Sequence, residues 1–568
     1  MAEGVPSITV RLGHRMAAWR AGRARAVTGF VSPPEPRTIG HVGRGRQLLA
    51  GNFRFGGQLV TAPGTAFWEI AAPDLAFQQA MQGFGWLDDL AAVGDSMARI
   101  RAQGWVWDWI AAYGRGKGPG WLPELTGRRL TRLINHSAFL LQGQDPVAVE
   151  AFLGTLSAQT AFLQSRWAKA PAGLPRIEAL TGLLQAGLSL SGLPEPADMQ
   201  KAAQTLGQQA AEVIDAQGGL ASRNPEELLE IFALLTWAAQ ALTDAEQAVD
   251  AAHLAALQRI APTLRALRHA DGGLARFHGG DRGAEGWLDA ALAASGVKPA
   301  PVGKLVMGYA RLQGGRTTVI ADAATPPGGA HRNVAHASTL GFELTSARRP
   351  LIISTGSGAA FGGDWHKVGR ATASHSALVL DGMSSSRFGA GEVLSHRAQV
   401  TLARPLHYAQ GNGIHMAQDG WARSHGLMHS RELVLSSDGR SLSGQDELTA
   451  LTPADRKRLD AALIRHDAKG IPFALHFHLH PDVAAVIEPA DGSVVMQLRS
   501  GEIWLLRCDS GQVARLAPSA LLEPGQNAPQ PCLQIVLEGF VRGTETRIVW
   551  TLAKSQDTPQ AIRDTESD

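Results

Sequence analysis

The spacing of apolar residues changes once along the chain, near residue 300. Between about residues 75 and 295, apolar positions recur every three or four residues, as in the run from Leu174 to Leu188, which is the period of a buried helix face. Beyond about residue 304, apolar and polar positions alternate in short runs separated by Gly, Asp and Ser, which is typical of β-strands. The pattern therefore predicts a multidomain chain, α then β: a helical half followed by an antiparallel β-sandwich.

Local signals for helix starts divide the helical half. Asp145 and Asn224 each precede a proline, so each places a capping side chain ahead of a first-turn proline. Thr243 with Glu246 fits a third start, a capping box. We expect eight to ten helices joined by short loops, so that consecutive helices pack antiparallel in an array that is closed as an (α/α) toroid or open as a solenoid. No repeat of fixed length is present.

The change in pattern divides the chain into four segments, with the main boundary around residues 295–304. The expected segments are an N-terminal basic arm and irregular lead-in (1–74), the toroid (75–298), the β-sandwich (299–555) and a polar tail (556–568).

Composition limits the classes of partner. The net charge of +2 on 568 residues gives no strong field for nucleic acid or anionic lipid, and no apolar stretch has the length of a membrane span. The first fifty residues differ, because they hold eight arginines against two glutamates. An anionic partner there is one interpretation, and a solvated arm with a short amphipathic helix is the other.

The two cysteines, Cys508 and Cys532, lack the spacing of a metal site and are expected to be packed thiols, with one disulfide as the alternative.

Two polar groups in the helical half are candidates for chemistry. Asn135 and His136 lie beside the apolar face of a helix, where they could face a cleft or simply end the helix. The glycine-rich loop at residues 270–280 holds Arg276 and His278, with Asp281 directly after it. These side chains can converge on a ligand, or the loop can be a plain connection between helices.

Histidines are the candidates in the β half. His336 and His375 fall on separate strands and could share a metal ion, although a full site needs three or four ligands. His476, His478 and His480 alternate along one strand and so share one sheet face. That second group is either a metal site or the polar outer face of the sheet.

Five stretches follow one another along the chain: "FGWLDDL" at 84–90, "GWLPELTGRRLTRLINHSAFLL" at 120–141, "DGGLARFHGG" at 271–280, "AHASTLGFELTSARRPLIISTGSG" at 335–358 and "GRATASHSALVLDG" at 369–382. In this shared order, and over most of the chain, they resemble the heparinase II/III-like family of uronic-polysaccharide lyases. The resemblance implies a helical toroid followed by a β-sandwich, with an acidic polysaccharide held in a cleft between them.

The family's reaction is β-elimination, which needs a group that neutralises the uronic carboxylate and an acid and base for proton transfer. Asn135 matches the family's neutraliser, and His136 follows it as the motif requires. Three positions depart from the pattern: Phe277 replaces the tyrosine, Val334 replaces the catalytic histidine, and Ser354 replaces a metal-binding aspartate.

The resemblance also implies a metal. His336 and His375 keep two of three family ligands, so a structural Zn or Ca ion in this region is the cofactor that the sequence suggests, and no other cofactor is implied.

Two functions follow. The first is a lyase that cleaves a heparin-like, heparan-sulfate-like or alginate-like polysaccharide by β-elimination. The expected catalytic residues are Asn135, His136, His278 and Tyr408, and the expected substrate-binding residues are Arg129, Arg276, Arg370 and Trp121.

The alternative is a catalytically degenerate protein of the cell envelope that binds an acidic glycan without cutting it; a general helical scaffold is a third, less favoured interpretation. The family implies the cell envelope or periplasm, whereas the N-terminus shows no signal peptide, which leaves the cytoplasm as the alternative location.

Overall fold

The computed structural model describes residues 8–193, 199–467 and 469–555. The predicted polar tail, residues 556–568, lies outside the described residues.

The first half is helical, as predicted, with two short strand pairs added. Among its described residues the α-helices are α1 (Ile8–Ala21), α2 (Val42–Leu49), α3 (Leu75–Gly83), α4 (Gly85–Val93), α5 (Ser96–Tyr113), α6 (Pro123–Asn135), α7 (Ser137–Leu141), α8 (Pro146–Arg166), α9 (Leu174–Ser189), α10 (Met199–Val213), α11 (Pro225–Asp244), α12 (Ala251–Leu267) and α13 (Trp287–Ser295). The strands are β1 (Gly29–Phe30), β2 (Asn52–Phe55), β3 (Gln58–Thr61) and β4 (Leu190–Ser191).

Eleven of these helices lie between residues 75 and 295, one more than the upper expectation. The difference arises where a helix breaks within an apolar run. Phe84 adopts a left-handed backbone (φ 63°) between α3 and α4, and His136 leaves helical geometry between α6 and α7. Apolar spacing continues across both breaks, so the pattern alone did not indicate them.

The helix caps divide into confirmed and wrong predictions. Asp145 caps α8 and Asn224 caps α11, each by accepting hydrogen bonds from first-turn N–H groups. The capping box at Thr243 is wrong: α11 continues through it, and its hydroxyl donates to the carbonyl of Ala239 at 2.9 Å. The next helix, α12, is capped instead by Asp250. A hydroxyl inside a helix can satisfy itself on the preceding turn, which removes its value as a start signal.

The N-terminal segment is more ordered than the predicted arm. Helix α1 packs on α8 and buries His14, Ala18 and Ala21. Strand β1 pairs with β4, which follows α9, and β2 and β3 form a hairpin. The lead-in therefore belongs to the helical body.

The second half is a β-sandwich, as predicted. Its elements are β5 (Leu305–Val306), β6 (Tyr309–Gly314), β7 (Thr317–Asp322), β8 (Phe342–Ser346), β9 (Arg349–Ile353), α14 (Gly363–Gly369), β10 (Leu378–Leu380), β11 (Arg387–Phe388), β12 (Leu394–His396), β13 (Val400–Tyr408), β14 (Gly411–Trp421), α15 (Ala422–His425), β15 (Leu427–Ser436), β16 (Ser441–Thr449), α16 (Pro453–Arg465), β17 (Ile471–Leu479), β18 (Ala484–Ile487), β19 (Val494–Gln497), β20 (Ile503–Cys508), β21 (Val513–Leu521), β22 (Gln530–Val541) and β23 (Glu545–Lys554).

Two antiparallel sheets form the sandwich. One runs in the order β21-β22-β17-β9-β8-β7-β6-β5, with β10 also paired to β17, and the other in the order β13-β14-β15-β16-β23-β20-β19-β18. Their inner faces share one apolar core, in which Phe342 from the first sheet stacks on Trp550 from the second at 5.8 Å between ring centroids.

No helix among the described residues is long and apolar enough to cross a membrane. Both cysteine thiols are free, so the predicted disulfide alternative does not form.

Arg223 joins the two halves. It lies just before α11, with a left-handed backbone (φ 53°), and its buried guanidinium reaches into the sandwich. It pairs with the Asp322 carboxylate at 2.5 Å. It also donates to four backbone carbonyls at 3.0–3.1 Å, those of Met307, Gly308, Ala324 and Thr325. The planar donor fork of arginine suits such a set of fixed acceptors.

Helices α6 and α9 make the closest helix contact near the candidate site, because glycines face each other there. A Cβ on Gly127 would lie 2.3 Å from the carbonyl oxygen of Glu178, and one on Gly182 would lie 2.6 Å from the backbone of Gly127. This approach brings the end of α6, with Asn135, against α9.

We predict that Gly127→Ala destabilises the protein by about 1–3 kcal/mol, because the added methyl meets backbone that cannot move aside. Gly104→Ala in α5 is the matched control, since a Cβ there meets nothing within 4 Å. The control should stabilise by roughly 0.5–1 kcal/mol through helix propensity. Chemical denaturation monitored by circular dichroism measures both, and a Gly127→Ala protein as stable as wild type would contradict the packing described.

Candidate functional site

Three histidines from separate segments converge where the toroid meets the sandwich. His278 comes from the loop after α12, His336 from the segment before β8, and His375 from the segment before β10. The ring centroids lie 5.9 Å apart for His278 and His336, and 5.2 Å apart for His336 and His375. All three side chains are 0% exposed. The sequence therefore identified a real cluster, but it is sealed from solvent.

Aromatic packing seals the cluster. Phe277, at the family's tyrosine position, lies between Tyr309 and His375, with ring centroids at 5.2 and 6.0 Å. Tyr309 is also within 6.3 Å of His278, but its hydroxyl donates to the carbonyl of Arg223 at 2.6 Å. Burial raises the pKa of Tyr309 well above its ordinary value. This phenol is therefore committed to the structure and is a poor proton donor.

Asp322, which the sequence analysis missed, organises the cluster. Its carboxylate accepts from Ser338 Oγ at 2.6 Å and faces His278 Nε2 at 3.4 Å, in addition to the pair with Arg223. Burial alone would raise its pKa, but the charge of Arg223 and the hydrogen bonds that the carboxylate accepts outweigh burial and hold the pKa well below the ordinary value. A lone aspartate at the end of the apolar strand "TTVIAD" was the available signal.

Two of the six ring nitrogens of these histidines accept backbone N–H groups. His278 Nδ1 accepts from the N–H of His336 at 3.1 Å, and His336 Nε2 accepts from the N–H of Gly279 at 2.8 Å. Burial lowers the pKa of His278, His336 and His375, to about 4 for His375, and the neighbouring imidazoles lower those of His336 and His375 further. All three rings are therefore neutral near pH 7, so none offers a proton to a leaving group.

The metal that the family implies does not fit the residues present. Ser354, at the aspartate position, bonds His375 Nδ1 through its hydroxyl at 3.0 Å and supplies no charge. Three ring nitrogens of the cluster lack hydrogen-bond partners, His278 Nε2, His336 Nδ1 and His375 Nε2, but among the described residues the cluster holds no three His, Cys, Asp or Glu ligand atoms within 4.8 Å of one another. The cluster therefore lacks the close set of ligands that zinc needs, and neutral nitrogens are of the wrong type for calcium.

Glu343 is a second carboxylate that the sequence analysis missed. It accepts from His269 Nε2 at 2.9 Å, from the N–H of Ser354 at 3.1 Å and from the N–H of Arg276 at 3.3 Å. It therefore ties the loop of residues 271–280 to the sandwich. The signal was the lone acid in the apolar strand "FEL".

Asn135 lies at the end of α6 and is 2% exposed. Its Oδ1 accepts from Gln185 of α9 at 2.8 Å, and its amide nitrogen has no hydrogen-bond partner. The side-chain amide of Asn135, which could neutralise a uronic carboxylate by hydrogen bonding, is thus present. No hydrogen bond or ring contact links it to the three histidines within the described ranges.

His136 is covered by the lead-in that precedes α2. Its Nε2 bonds Asp88 of α4 at 2.9 Å and Thr38 of the lead-in at 2.8 Å. The lead-in is held on the toroid on both sides, because Arg37 pairs with Asp244 at 2.8 Å and the N–H of His41 donates to Asp89 at 2.8 Å. At 4% exposure, His136 is not open to a substrate.

Two of the residues expected to bind substrate lie in the toroid core, which corrects that expectation. Arg129 is 0% exposed, and its guanidinium bonds the Gln82 carbonyl and Gln159 Oε1, both at 2.8 Å, and stacks over Trp109 at 4.2 Å. Trp121 is 4% exposed, and its indole N–H donates to a backbone carbonyl. Both side chains are buried in internal contacts, so neither has an exposed face that could contact a sugar.

The other two arginines are also buried. Arg370 donates to the carbonyls of Ala335, Glu392 and Arg332 at 2.9–3.0 Å, and so fixes the segment that carries His336. Arg276 lies 3.6 Å from Glu523 and is 4% exposed. Sequence could not separate a substrate-binding arginine from one that satisfies internal carbonyls, since both need the same fork of donors.

Tyr408, named as the replacement acid, does not join the site. It ends β13, is 50% exposed and donates to Glu432 at 3.2 Å. Tyr309 is the tyrosine that packs beside the histidines, although its hydroxyl is occupied. Strand order in the sandwich decides which tyrosine is near, and sequence spacing does not reveal it.

The histidines of β17 do not form a ligand group. His476 and His478 stack at 6.0 Å between ring centroids, as expected for one sheet face. Both ring nitrogens of His478 are bonded, to Ser519 and to the carbonyl of Ala373, each at 2.7 Å. His480 lies beyond the end of the strand. Their face is polar but internally satisfied.

A buried acid pair lies below a small cavity at the junction. Asp281 donates its N–H to Glu226 at 2.8 Å, and its carboxylate accepts from the N–H and hydroxyl of Ser357 at 3.2 and 3.1 Å. Burial, with the nearby Glu226 charge, raises the pKa of Asp281 to about 7, and burial also raises the pKa of Glu226. The cavity of about 220 Å³ is lined by both acids, by Glu285 and Glu523, and by His41 and Arg282, so its lining has mixed charge.

Comparisons with known proteins agree with this architecture. A family model described as "Heparinase II/III-like, C-terminal" matches residues 299–551. FtsZ-localized protein C of Caulobacter vibrioides is 30% identical over 533 residues, which cover 92% of this chain and 90% of that protein. The crystal structure of heparinase III is similar with a TM-score of 0.66 at 14% identity, covering 96% of this chain and 90% of the other. Heparan sulfate lyase HepC of Pedobacter heparinus gives a TM-score of 0.56 at 14% identity, covering 97% and 89%.

We predict that Asp281 makes stability fall as the pH rises. Its folded-state pKa of about 7 lies above the ordinary value of 3.8, so its contribution is complete below pH 4 and is lost as the pH rises through 7. Relative to Asp281→Asn, the melting temperature of wild type should therefore drop by several degrees between pH 4 and pH 8. Thermal denaturation across that range measures the difference. Asp289→Asn, at an exposed carboxylate, is the control and should track wild type at every pH.

Proposed function

This chain belongs to the heparinase II/III-like family, and from that premise we propose that it is a member that binds a partner without cleaving polysaccharide. The observation that carries the proposal is the burial of His278, His336 and His375, all 0% exposed, around Phe277. A general acid or base must come within hydrogen-bonding distance of the substrate atom that exchanges the proton. These side chains form a packed interior instead.

The retained residues do not restore a reaction. Asn135 keeps an amide that could neutralise a uronic carboxylate, but β-elimination also requires proton transfer. The candidate donors and acceptors are occupied: His136 by Asp88 and Thr38, and Tyr309 by a backbone carbonyl. Acidic-glycan binding through the expected arginines and Trp121 loses support for the same reason, since those side chains are buried.

The partner that we propose is FtsZ. A relative that aligns along nearly the whole chain is named for its localisation with FtsZ, and we propose that this protein also localises with FtsZ. Of the two locations that the sequence left open, this favours the cytoplasm.

Helix α1 offers the surface for such a partner. Ile8, Leu12, Met16 and Trp19 follow one another at helical spacing and are 53–71% exposed, while the opposite face packs on α8. A groove of about 720 Å³ runs between this helix and the toroid, with Leu75 on its far side. Large exposed apolar side chains gathered along one groove are typical of a protein-binding surface.

The charge of the groove indicates the chemistry of the partner. Its described lining includes Arg11, Arg15, Arg20 and Lys117 and contains no acidic residue. An acidic, amphipathic protein segment would complement both the cations and the aliphatic floor. A hydrated sugar chain would leave leucine and methionine side chains unmatched, so we favour the protein segment.

Absence of cleavage is the first test. Incubation with heparin, heparan sulfate and alginate should yield no unsaturated uronate, monitored by its absorbance, while an active heparan sulfate lyase serves as the positive control. Product formed by wild type and abolished in Asn135→Ala would show that the chain is a lyase and would overturn the proposal.

Association with FtsZ is the second test. A fluorescent fusion should colocalise with FtsZ, and purified protein should bind purified FtsZ in fluorescence anisotropy. Replacing Arg15 by Glu and Trp19 by Ser should weaken binding by about tenfold or more, because one charge and one large apolar contact are lost.

The matched control changes an equivalent pair on another helix. Ile100 and Arg101 of α5 are exposed, and Ile100→Ser with Arg101→Glu should leave binding unchanged. Equal binding by both double variants would exclude the α1 groove, and binding of acidic glycan but not FtsZ would favour the glycan alternative.

A further inference from the structure

Three side chains with metal-binding chemistry meet in the sandwich, away from the family's histidine cluster. Asp381 follows β10, His425 ends α15 and His466 follows α16. The two carboxylate oxygens of Asp381 face different rings: Oδ2 lies 3.1 Å from His425 Nε2, and Oδ1 lies 3.3 Å from His466 Nε2. All three ligand atoms lie within 4.8 Å of one another.

These distances match the edges of a zinc coordination shell. Zinc bound at about 2.0–2.1 Å in a tetrahedron places neighbouring ligand atoms about 3.3 Å apart. Each Asp–His distance is within 0.2 Å of that edge, although the two run to different carboxylate oxygens and the one to His425 is also a hydrogen bond. Two histidines and one carboxylate are also a common set of protein ligands for zinc when the fourth position is left to water.

The surroundings hold the ligands in place. His425 is 1% exposed, and its Nδ1 bonds Ser424 Oγ at 2.9 Å, so its Nε2 is the nitrogen that faces the cluster. Asp381 has a left-handed backbone (φ 54°), and its N–H donates to the Pro472 carbonyl at 2.7 Å. A partner on the outer ring nitrogen is typical of metal-binding histidines, because it fixes the ring orientation.

One side of the cluster is open to solvent. The side chains of Asp381 and His466 are 29% and 25% exposed, so an ion and a water ligand can enter from that side. Two cations act on His425, Arg465 at the neighbouring helix end and Arg387 of β11, and the Arg465 guanidinium donates to the Ser424 carbonyl at 3.3 Å. Their charges lower the affinity for a divalent ion, but neither side chain takes a ligand position.

We propose that Asp381, His425 and His466 bind one zinc ion, with water as the fourth ligand. The ion would link the end of β10 to α15 and α16, three segments that are distant in the sequence. This site uses none of the residues of the family's metal position and is independent of the function proposed above.

Cobalt(II) is the probe for the coordination geometry, because its visible absorption is intense when four-coordinate and weak when six-coordinate. Full-length protein, freed of metal by dialysis against a chelator, should develop the intense band with one equivalent of Co²⁺ and lose it when Zn²⁺ is added. Isothermal titration with Zn²⁺ should give a stoichiometry of one. Zinc should also raise the melting temperature, since binding to the folded state stabilises it.

Variants locate the ion. His466→Gln and Asp381→Asn should each weaken zinc binding by about tenfold or more. His466 is partly exposed, so His466→Gln should keep the metal-free melting temperature of wild type even if Asp381→Asn folds poorly. The control is His480→Gln, which alters a partly exposed histidine 3.8 Å from Asp482 and should bind zinc as wild type does. No stoichiometric binding by wild type, or unchanged binding by folded His466→Gln, would overturn the proposal.

Discussion

The buried ion pair between Arg223 and Asp322 is the interaction on which the arrangement of the two halves depends. Arg223 belongs to the helical half, and every hydrogen-bond acceptor of its guanidinium belongs to the sandwich. A buried charge is costly unless it is fully paired, so neither partner can leave without the other. The same carboxylate faces His278, which places the loop of residues 271–280 against the sandwich.

That constraint explains why the family's catalytic position has become a packed interior. Phe277 stacks between Tyr309 and His375, and Ser354 holds His375 through a neutral hydrogen bond. Removing a phenol and a carboxylate from such a place lowers the cost of burial, because fewer polar groups must be desolvated. The fold is retained although Phe277, Val334 and Ser354 stand where the resemblance places an acid, a base and a metal ligand, in keeping with the rule that function belongs to sites and not to folds.

The features that remain available for binding lie on the outside. The lead-in covers His136, and the small junction cavity is lined by the acid pair at Asp281 together with Arg282. The groove along α1 is instead basic and apolar, and it is built by a segment outside the β half that the family model matches. In the function that we propose, the two-part body presents this outer surface to a partner.

The sequence by itself determined what depends on local spacing. The change of apolar period near residue 300 indicated the helical and β halves, and Asp145 and Asn224 marked helix starts, because caps and periods act within a few residues. It also singled out His278, His336 and His375, which do meet.

Only the tertiary structure decided which polar side chains are exposed to solvent and which are used in internal hydrogen bonds. Arg129 and Arg370 bond internal groups, chiefly backbone carbonyls, and Tyr309 rather than Tyr408 packs beside the histidines. The meeting of Asp381 with His425 and His466 was equally hidden. The physical reason is the same in each case. The sequence does not reveal which group a given donor, acceptor or charge will contact, because the packing of helices and strands decides which residues far apart in sequence become neighbours.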